Sequence, residues 1–393
     1  MTQTIRIALV GAGFAGQAHA FGYRNAQMSD ALSGLRITLD TVVDPNLELA
    51  GEVARRYGFR RTTAFLDEML TDPDIDAVSV ALPNFAYLDV LTRILRSGKH
   101  VFAEKPLGTS AEEAETLAHV ARESGRVAGV GFSFRRVPAL AAAQRAVRDG
   151  VIGTPYFARG FYYADYAADP MAPRTWRYVQ EQSGGGALID IGMHVIDALT
   201  HALGPVSQVS SATLHTVIAE RPLPTGGGIG HVAKASETET GIVTTDDTAL
   251  LTLRFASDCV GAVQLSRVAN GAPNQLGIEI FGSKGHVSFD STRSDEYALY
   301  EASNAMPGVD GPRRVIAGPA MPYYSQVSPM RARGTGTGYG EAFIAEIQDF
   351  LVAVTAGAEL GSSFEAAVHP MRVVGAALES ARMAHPVDVL AVD

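Results

Sequence analysis

The sequence predicts an α/β chain in two parts: an N-terminal domain on a parallel sheet, then an α+β domain with a large, mostly antiparallel sheet. Three observations predict it. The first third alternates short apolar runs with helix-like segments, which gives parallel strands with helices on both faces. A glycine turn, "GAGFAG" (Gly11 to Gly16), follows the first apolar run directly. Later in the chain, short strand-like runs follow one another with turn residues between them. At 393 residues the chain is too long for one comfortable core. The expected domains are 1–134 and 135–393.

"IRIALV" (Ile5 to Val10) is the first strand, and a helix starts near Ala15 and ends around "LSGL". "ITLDTVV" then runs to Asp44-Pro45, and "DAVSVAL", "HVFAE" and "VAGVGF" supply further strands. "SAEEAETLAHVARESG" is helical, with Ser110 as N-cap and Glu113 three residues on. A lone G-x-G-x-x-G is a weak signal; between a strand and a helix it becomes a dinucleotide fingerprint and makes this a Rossmann domain. Gly11 permits the tight turn, Gly13 lets the backbone approach a pyrophosphate, and Gly16 allows close helix–strand packing. Asp44 ends the second strand, where a carboxylate can accept from a ribose hydroxyl and would repel a 2′-phosphate. NAD is therefore expected over NADP. A turn-forming Asp-Pro is the plainer alternative, since Asp44 lies further on than the usual ~20 residues.

Composition excludes several classes. Hydrophobic residues make up 47% and charged ones 19%, as in soluble globular proteins. Acidic residues outnumber basic ones by 42 to 32, which argues against a nucleic-acid partner. The single cysteine, Cys259, forms no internal disulfide and no metal cluster, so a reducing, cytoplasmic setting is expected, with Cys259 as a buried, inert thiol. No signal peptide and no membrane-spanning run is evident.

"GKHVFAEKPLG" places Glu104, Lys105 and Pro106 at the carboxyl end of a strand, which faces the ligand crevice in open α/β sheets. A lysine there can donate to a substrate hydroxyl and steady a developing alkoxide, although most lysines are solvated surface residues. "GAGFAG", "ALPN" (Ala81 to Asn84), "GKHVFAEKPLG" and "GGGALIDIGMHVIDAL" occur in an order that resembles the Gfo/Idh/MocA family of dinucleotide-dependent sugar and polyol oxidoreductases. The resemblance covers essentially the whole chain. It adds Phe14, Ala15, Pro83, Asn84, Glu104 and Lys105 to the glycines and Asp44 at the cofactor. One departure is visible: after Asn84 these enzymes often carry a His, where "NFAY" has Tyr87.

A helix starting near Leu188 puts Asp190, His194, Asp197 and His201 on one stripe, with Leu188, Ile191, Val195 and Leu199 packing inward. Pattern alone allows a solvated face. The glycines before the helix suggest room for a ligand to approach the backbone. The resemblance implies that Lys105, Asp190 and His194 hold the family's catalytic positions in the reversible oxidation of a secondary alcohol. His194 then accepts the hydroxyl proton, a step that suits an imidazole of ordinary pKa ~6.5. Lys105 holds the oxygen, and Asp190 orients the hydroxyl and tunes both partners.

Strands are expected at "PYFARGFYY", "QVSSATLHTV", "TALLTLRF", "GAVQLSRV", "LGIEIFG" and "HVSFD", with exposed loops at "PTGGGIG" and "AMPGVDGP". A late helix, "GEAFIAEIQDFLVAV", is a candidate to pack back on the first domain. Family members use such a sheet for subunit contacts, so a homotetramer or homodimer is implied. The D-P…P-x-x-W-R portion, Asp169 to Arg177, resembles dehydrogenases of anhydrosugars and inositols, making Trp176 and Arg177 substrate-wall candidates. A core anchor is the alternative for Trp176. Tyr339 is a further candidate for that pocket. Two other functions stay open: glycoside cleavage by transient oxidation and elimination, and a cofactor-binding regulator without catalysis.

Overall fold

The computed structural model describes residues 3–226 and 234–389. The chain forms two compact units. The first comprises Met1–Arg136, Gln326–Pro329 and Tyr339–Val368, and the second Val137–Ser325, Met330–Gly338 and His369–Asp393. This differs from the expected division in two ways. The first junction falls after Arg136, and the late helix belongs to the first unit rather than to one run from 135 to the C-terminus.

In the first unit, β1 (Gln3–Val10), α1 (Phe14–Asn25), β2 (Leu35–Val43), α2 (Leu47–Tyr57), β3 (Arg61–Thr63) and α3 (Leu66–Leu70) come first. β4 (Ala77–Val80), α4 (Tyr87–Arg96), β5 (His100–Glu104), α5 (Ala111–Ser124) and β6 (Ala128–Gly131) follow. All neighbours pair in parallel in the order β3-β2-β1-β4-β5-β6. The order reverses between β1 and β4, the switch point at whose carboxyl side such sheets bind ligands. Among the strands of this sheet only the three-residue edge strand β3 escapes the periodicity reading. Two 3-10 turns, Ala26–Met28 and Asp30–Leu32, lengthen the α1–β2 connection and account for the late position of Asp44.

α5 begins as expected, with the Glu113 N–H donating to Ser110 Oγ at 3.3 Å. The Glu113 carboxylate accepts from the Thr109 N–H at 2.7 Å, so the return arm of the cap is shifted one residue upstream. The core of this unit joins Ile7, Leu9, Val42 and Phe102 to Ile347, Phe350 and Leu351 of the helix Tyr339–Ala356. That helix presses on α1 at Gly22, where a Cβ would come within 2.8 Å of the Phe343 carbonyl oxygen.

The second unit is built on a nine-stranded sheet. The spatial order of its strands is Arg313–Ile316, Glu296–Glu301, Gly285–Asp290, Gln275–Gly282, β7 (Pro155–Tyr163), Val260–Ser266, Thr248–Phe255, Val206–His215 and Val387–Asp388. Every pair is antiparallel except β7 with Val260–Ser266. A helix, Gly192–Leu203, lies on β7 where Gly160 leaves space, since a Cβ there would sit 2.4 Å from Val195 Cγ1. "AMPGVDGP" is an exposed loop as expected, whereas "PTGGGIG" runs into 227–233, outside the described residues. Cys259 is buried, and burial pushes its thiol up to about 11, which leaves it inert. No helix among the described residues is long and apolar enough to cross a membrane.

Candidate active site

The glycine turn has the shape a dinucleotide needs. Gly11 adopts φ +94°, and a Cβ there would meet the Ala81 carbonyl oxygen at 2.2 Å. Gly16 packs so closely that its Cβ would lie 2.0 Å from the Gly11 carbonyl oxygen. Gly13, the N-cap of α1, has open space where its side chain would be. The N-terminus of a three-turn helix therefore points its free N–H groups past a bare Cα, which fits a pyrophosphate. Phe14 is exposed and Ala15 half-buried on the first turn. Asp44 accepts from the Ala12 N–H and the Asn46 N–H, both at 2.8 Å. It thus braces the glycine turn as well as starting the Asn46-capped helix α2, and more than an Asp-Pro bend is present. Pro83 and Asn84 leave the carboxyl end of β4, with Asn84 opening a 3-10 turn and Tyr87 buried behind it.

Glu104 and Lys105 leave β5 at the same edge, both half-buried, with a cis Lys105-Pro106 bond. The Lys105 N–H donates to Glu104 Oε2 at 3.1 Å. Gly131 on β6 leaves room for that carboxylate; its Cβ would fall 3.1 Å from Glu104 Oε1. A residue that sequence reasoning missed completes the group. His19, fully buried on α1, has Nε2 3.1 Å from Glu104 Oε1 and Nδ1 2.7 Å from Ser79 Oγ on β4. Its position three residues past Gly16 was a local signal, but its partners lie 60 and 85 residues away.

In the second unit the expected helix from Leu188 is two pieces, a single turn Ala187–Asp190 and the helix Gly192–Leu203. The expected role of the preceding glycines is corrected too. The space beside Gly186 is filled by protein, because a Cβ there would lie 1.8 Å from the Asp246 carbonyl oxygen. Asp246 accepts from the Gly186 N–H at 2.7 Å and the Leu188 N–H at 2.8 Å, and its carbonyl accepts from Ala187 at 2.9 Å. The glycines admit this clamp, which aims the turn that carries Asp190.

The Tyr166 hydroxyl donates to Asp190 Oδ2 at 2.6 Å, within charge-assisted range. Burial, then the neighbouring Asp190 charge, push this phenol well above its usual range, so it acts as a donor. The Tyr162 phenol, on β7, is raised by the same two causes. His194 is buried with its ring centroid 6.1 Å from that of Tyr162; Asp197 is buried and His201 exposed. The stripe is therefore neither solvated nor uniform. A buried ion pair supports this region from behind: Arg267 Nε donates to Asp247 Oδ1 at 2.9 Å. Tyr178 lies between the guanidinium groups of Arg221 and Arg267, at 4.3 and 4.7 Å.

Trp176 and Arg177 open a 3-10 turn, both half-buried, with the guanidinium 4.3 Å from the indole ring. Trp176 is thus no core anchor. Tyr339 belongs to the first unit, bonded to Ser133 Oγ at 3.1 Å and edge-on to Phe343. With Phe14, Phe21 and Tyr57 it borders an apolar recess on the flank of α1. Trp176, Arg177, Asp190 and His194 belong to the second unit.

Comparison with known proteins places these features in a wider set. Residues 5–132 match the oxidoreductase family model with an NAD-binding Rossmann fold, and 140–288 match the GFO/IDH/MocA C-terminal domain. The chain is 36% identical over 389 residues to the levoglucosan dehydrogenase of Pseudarthrobacter phenanthrenivorans, covering 98% of both chains. It is 28% identical over 305 residues to the scyllo-inositol 2-dehydrogenase (NAD(+)) of Bacillus subtilis, covering 78% of this chain and 79% of that one. Among solved structures, apo levoglucosan dehydrogenase superposes with TM-score 0.93 at 35% identity over 100% of both chains. The complex of that enzyme with NADH and levoglucosan gives 0.91 at 34% identity, over 99% of this chain and 100% of the other.

Proposed function

Because the chain belongs to the Gfo/Idh/MocA oxidoreductase family, with its NAD-binding Rossmann fold, we propose that it oxidises a secondary hydroxyl of an anhydrosugar, sugar or cyclic polyol. The observation that carries the reading is Asp190, held by the Tyr166 phenol on the turn that leads into the His194 helix. It pairs an oriented carboxylate with an imidazole, the two groups needed to fix a hydroxyl and remove its proton. NAD, when bound along Gly11, Gly13 and Gly16, supplies the hydride acceptor. His194 takes the hydroxyl proton. Lys105 donates to the same oxygen and stabilises the charge that develops there. Asp190 orients the hydroxyl, and Trp176 with Arg177 forms part of the sugar wall. Full-length similarity to a levoglucosan dehydrogenase supports a 1,6-anhydrosugar as first choice of substrate, with inositols second.

NADH absorbance with a panel of anhydrosugars, sugars and inositols tests this. Steady net NADH formation is the expected result. Product release without net reduction would instead favour oxidation–elimination chemistry, and binding without turnover a regulator. Tyr166→Phe is expected to lower kcat by about tenfold, the cost of about one hydrogen bond to a charged group, with a smaller effect on NAD affinity. Steady-state kinetics of this variant check it; unchanged kcat would detach Tyr166 from Asp190's function.

A homo-oligomer built on the nine-stranded sheet is part of the same proposal. Its outer face carries a row of aromatic rings, Phe157, Phe281, His286 and Tyr300, with neighbouring centroids 5.2–6.0 Å apart. Leu250 is exposed on the strand Thr248–Phe255 of the same sheet.

A further inference from the structure

Behind the Glu104–His19 pair sits a group that the chemistry described so far does not use. Glu346, on the helix Tyr339–Ala356, is buried, and no donor group reaches either of its carboxyl oxygens. One of these oxygens, an oxygen of Glu104 and a ring nitrogen of His19 lie within 4.8 Å of one another. An ionised carboxylate without partners is strongly disfavoured in such a place. The groups that face Glu346 do not relieve it. Glu104 on β5 carries like charge and Asp349 on its own helix another, against one guanidinium, that of Arg136. The Arg136 Nε is bonded to Asp349 at 2.8 Å and its Nη2 to Ser362 at 3.2 Å. From α1, His19 has one ring nitrogen on Ser79 and the other on Glu104, and Tyr23 brings a buried phenol.

We propose that Glu346 is a positioning residue for Lys105: a neutral carboxylic acid that offers its proton to Glu104. Glu104 then keeps its place under the Lys105 N–H. An ionised Glu346 would repel Glu104 and drag the strand end with it. Burial, with the Glu104 charge second, raises the Glu346 carboxyl well above its usual range, in line with this geometry. The inference rests on the dehydrogenase reading, because Lys105 is the group being positioned.

Two variants of the full-length protein test it. Glu346→Gln keeps a neutral donor and is expected to retain kcat within about twofold, whereas Glu346→Leu loses about tenfold in kcat with KM for NAD little changed. The second readout does not depend on turnover. The unfolded chain ionises this residue above its ordinary value of 4.5, so folding takes up a proton. Stability held by that proton is complete below 4.5 and is lost progressively as pH rises towards the folded value. The Tm of Glu346→Gln is thus expected to pull ahead of wild type as pH rises above 4.5. A gap that stays flat with pH, a gap that closes on adding a chelator to both proteins, or a Glu346→Leu variant with wild-type kcat overturns the inference. An inert wild type would sink the dehydrogenase reading and the positioning role with it; an active wild type with a flat gap sinks this inference alone.

Discussion

His194→Ala is expected to lower kcat by about 10²–10⁴-fold while leaving NADH affinity within about twofold of wild type. The imidazole is the one group in the second unit's candidate set that can take a proton at neutral pH and return it in the reverse reaction. The glycine turn that fits the dinucleotide belongs to the other unit, so the two functions separate cleanly in this variant. Stopped-flow or steady-state NADH absorbance gives kcat, and fluorescence titration gives the affinity. A turnover rate equal to wild type would remove His194 from the mechanism. Loss of NADH binding in parallel would mean that the variant is misfolded, which thermal unfolding would reveal.

Asp247→Ala is expected to destabilise the second unit by about 3–5 kcal/mol, the usual cost of stranding one member of a buried ion pair. Arg267 and Asp247 are both essentially inaccessible, at 1% and 0% side-chain exposure, so water cannot replace the lost partner. Asp247 also accepts from the N–H groups of Val217 and Ile218, at 2.8 and 2.9 Å, and these would be orphaned as well. Denaturant titration measures the loss. Adding Arg267→Met to the Asp247→Ala background removes the stranded charge and is expected to recover part of it. If the double variant is no better than the single one, the cost lies in the backbone bonds rather than in the guanidinium.

Much of the fold is legible along the chain because it is local. The alternation of "IRIALV", "DAVSVAL" and "HVFAE" with helical segments carries the parallel sheet, since a strand buried on both faces must be apolar throughout. The G-x-G-x-x-G run is equally local: Gly11, Gly13 and Gly16 are each demanded by backbone within a few ångströms or by open space at a helix end. Hence the geometry of this turn was readable. The run Gly184 to Gly186 misleads by the same logic. A glycine records that something comes close, but not whether it is a ligand or, as here, the main chain of Asp246 sixty residues on.

The sequence by itself therefore determined the class of fold, the glycine turn whose shape fits a dinucleotide and the residue types available for proton transfer, because periodicity and turn chemistry act over a few residues. Only the tertiary structure decided that Tyr166 holds Asp190, that His19 and Ser79 stand behind Glu104, and that the late helix delivers Glu346 into the first unit's core. Each is a pairing across distant chain segments. Its energy comes from mutual burial, which no residue displays until the partner strand or helix has closed over it.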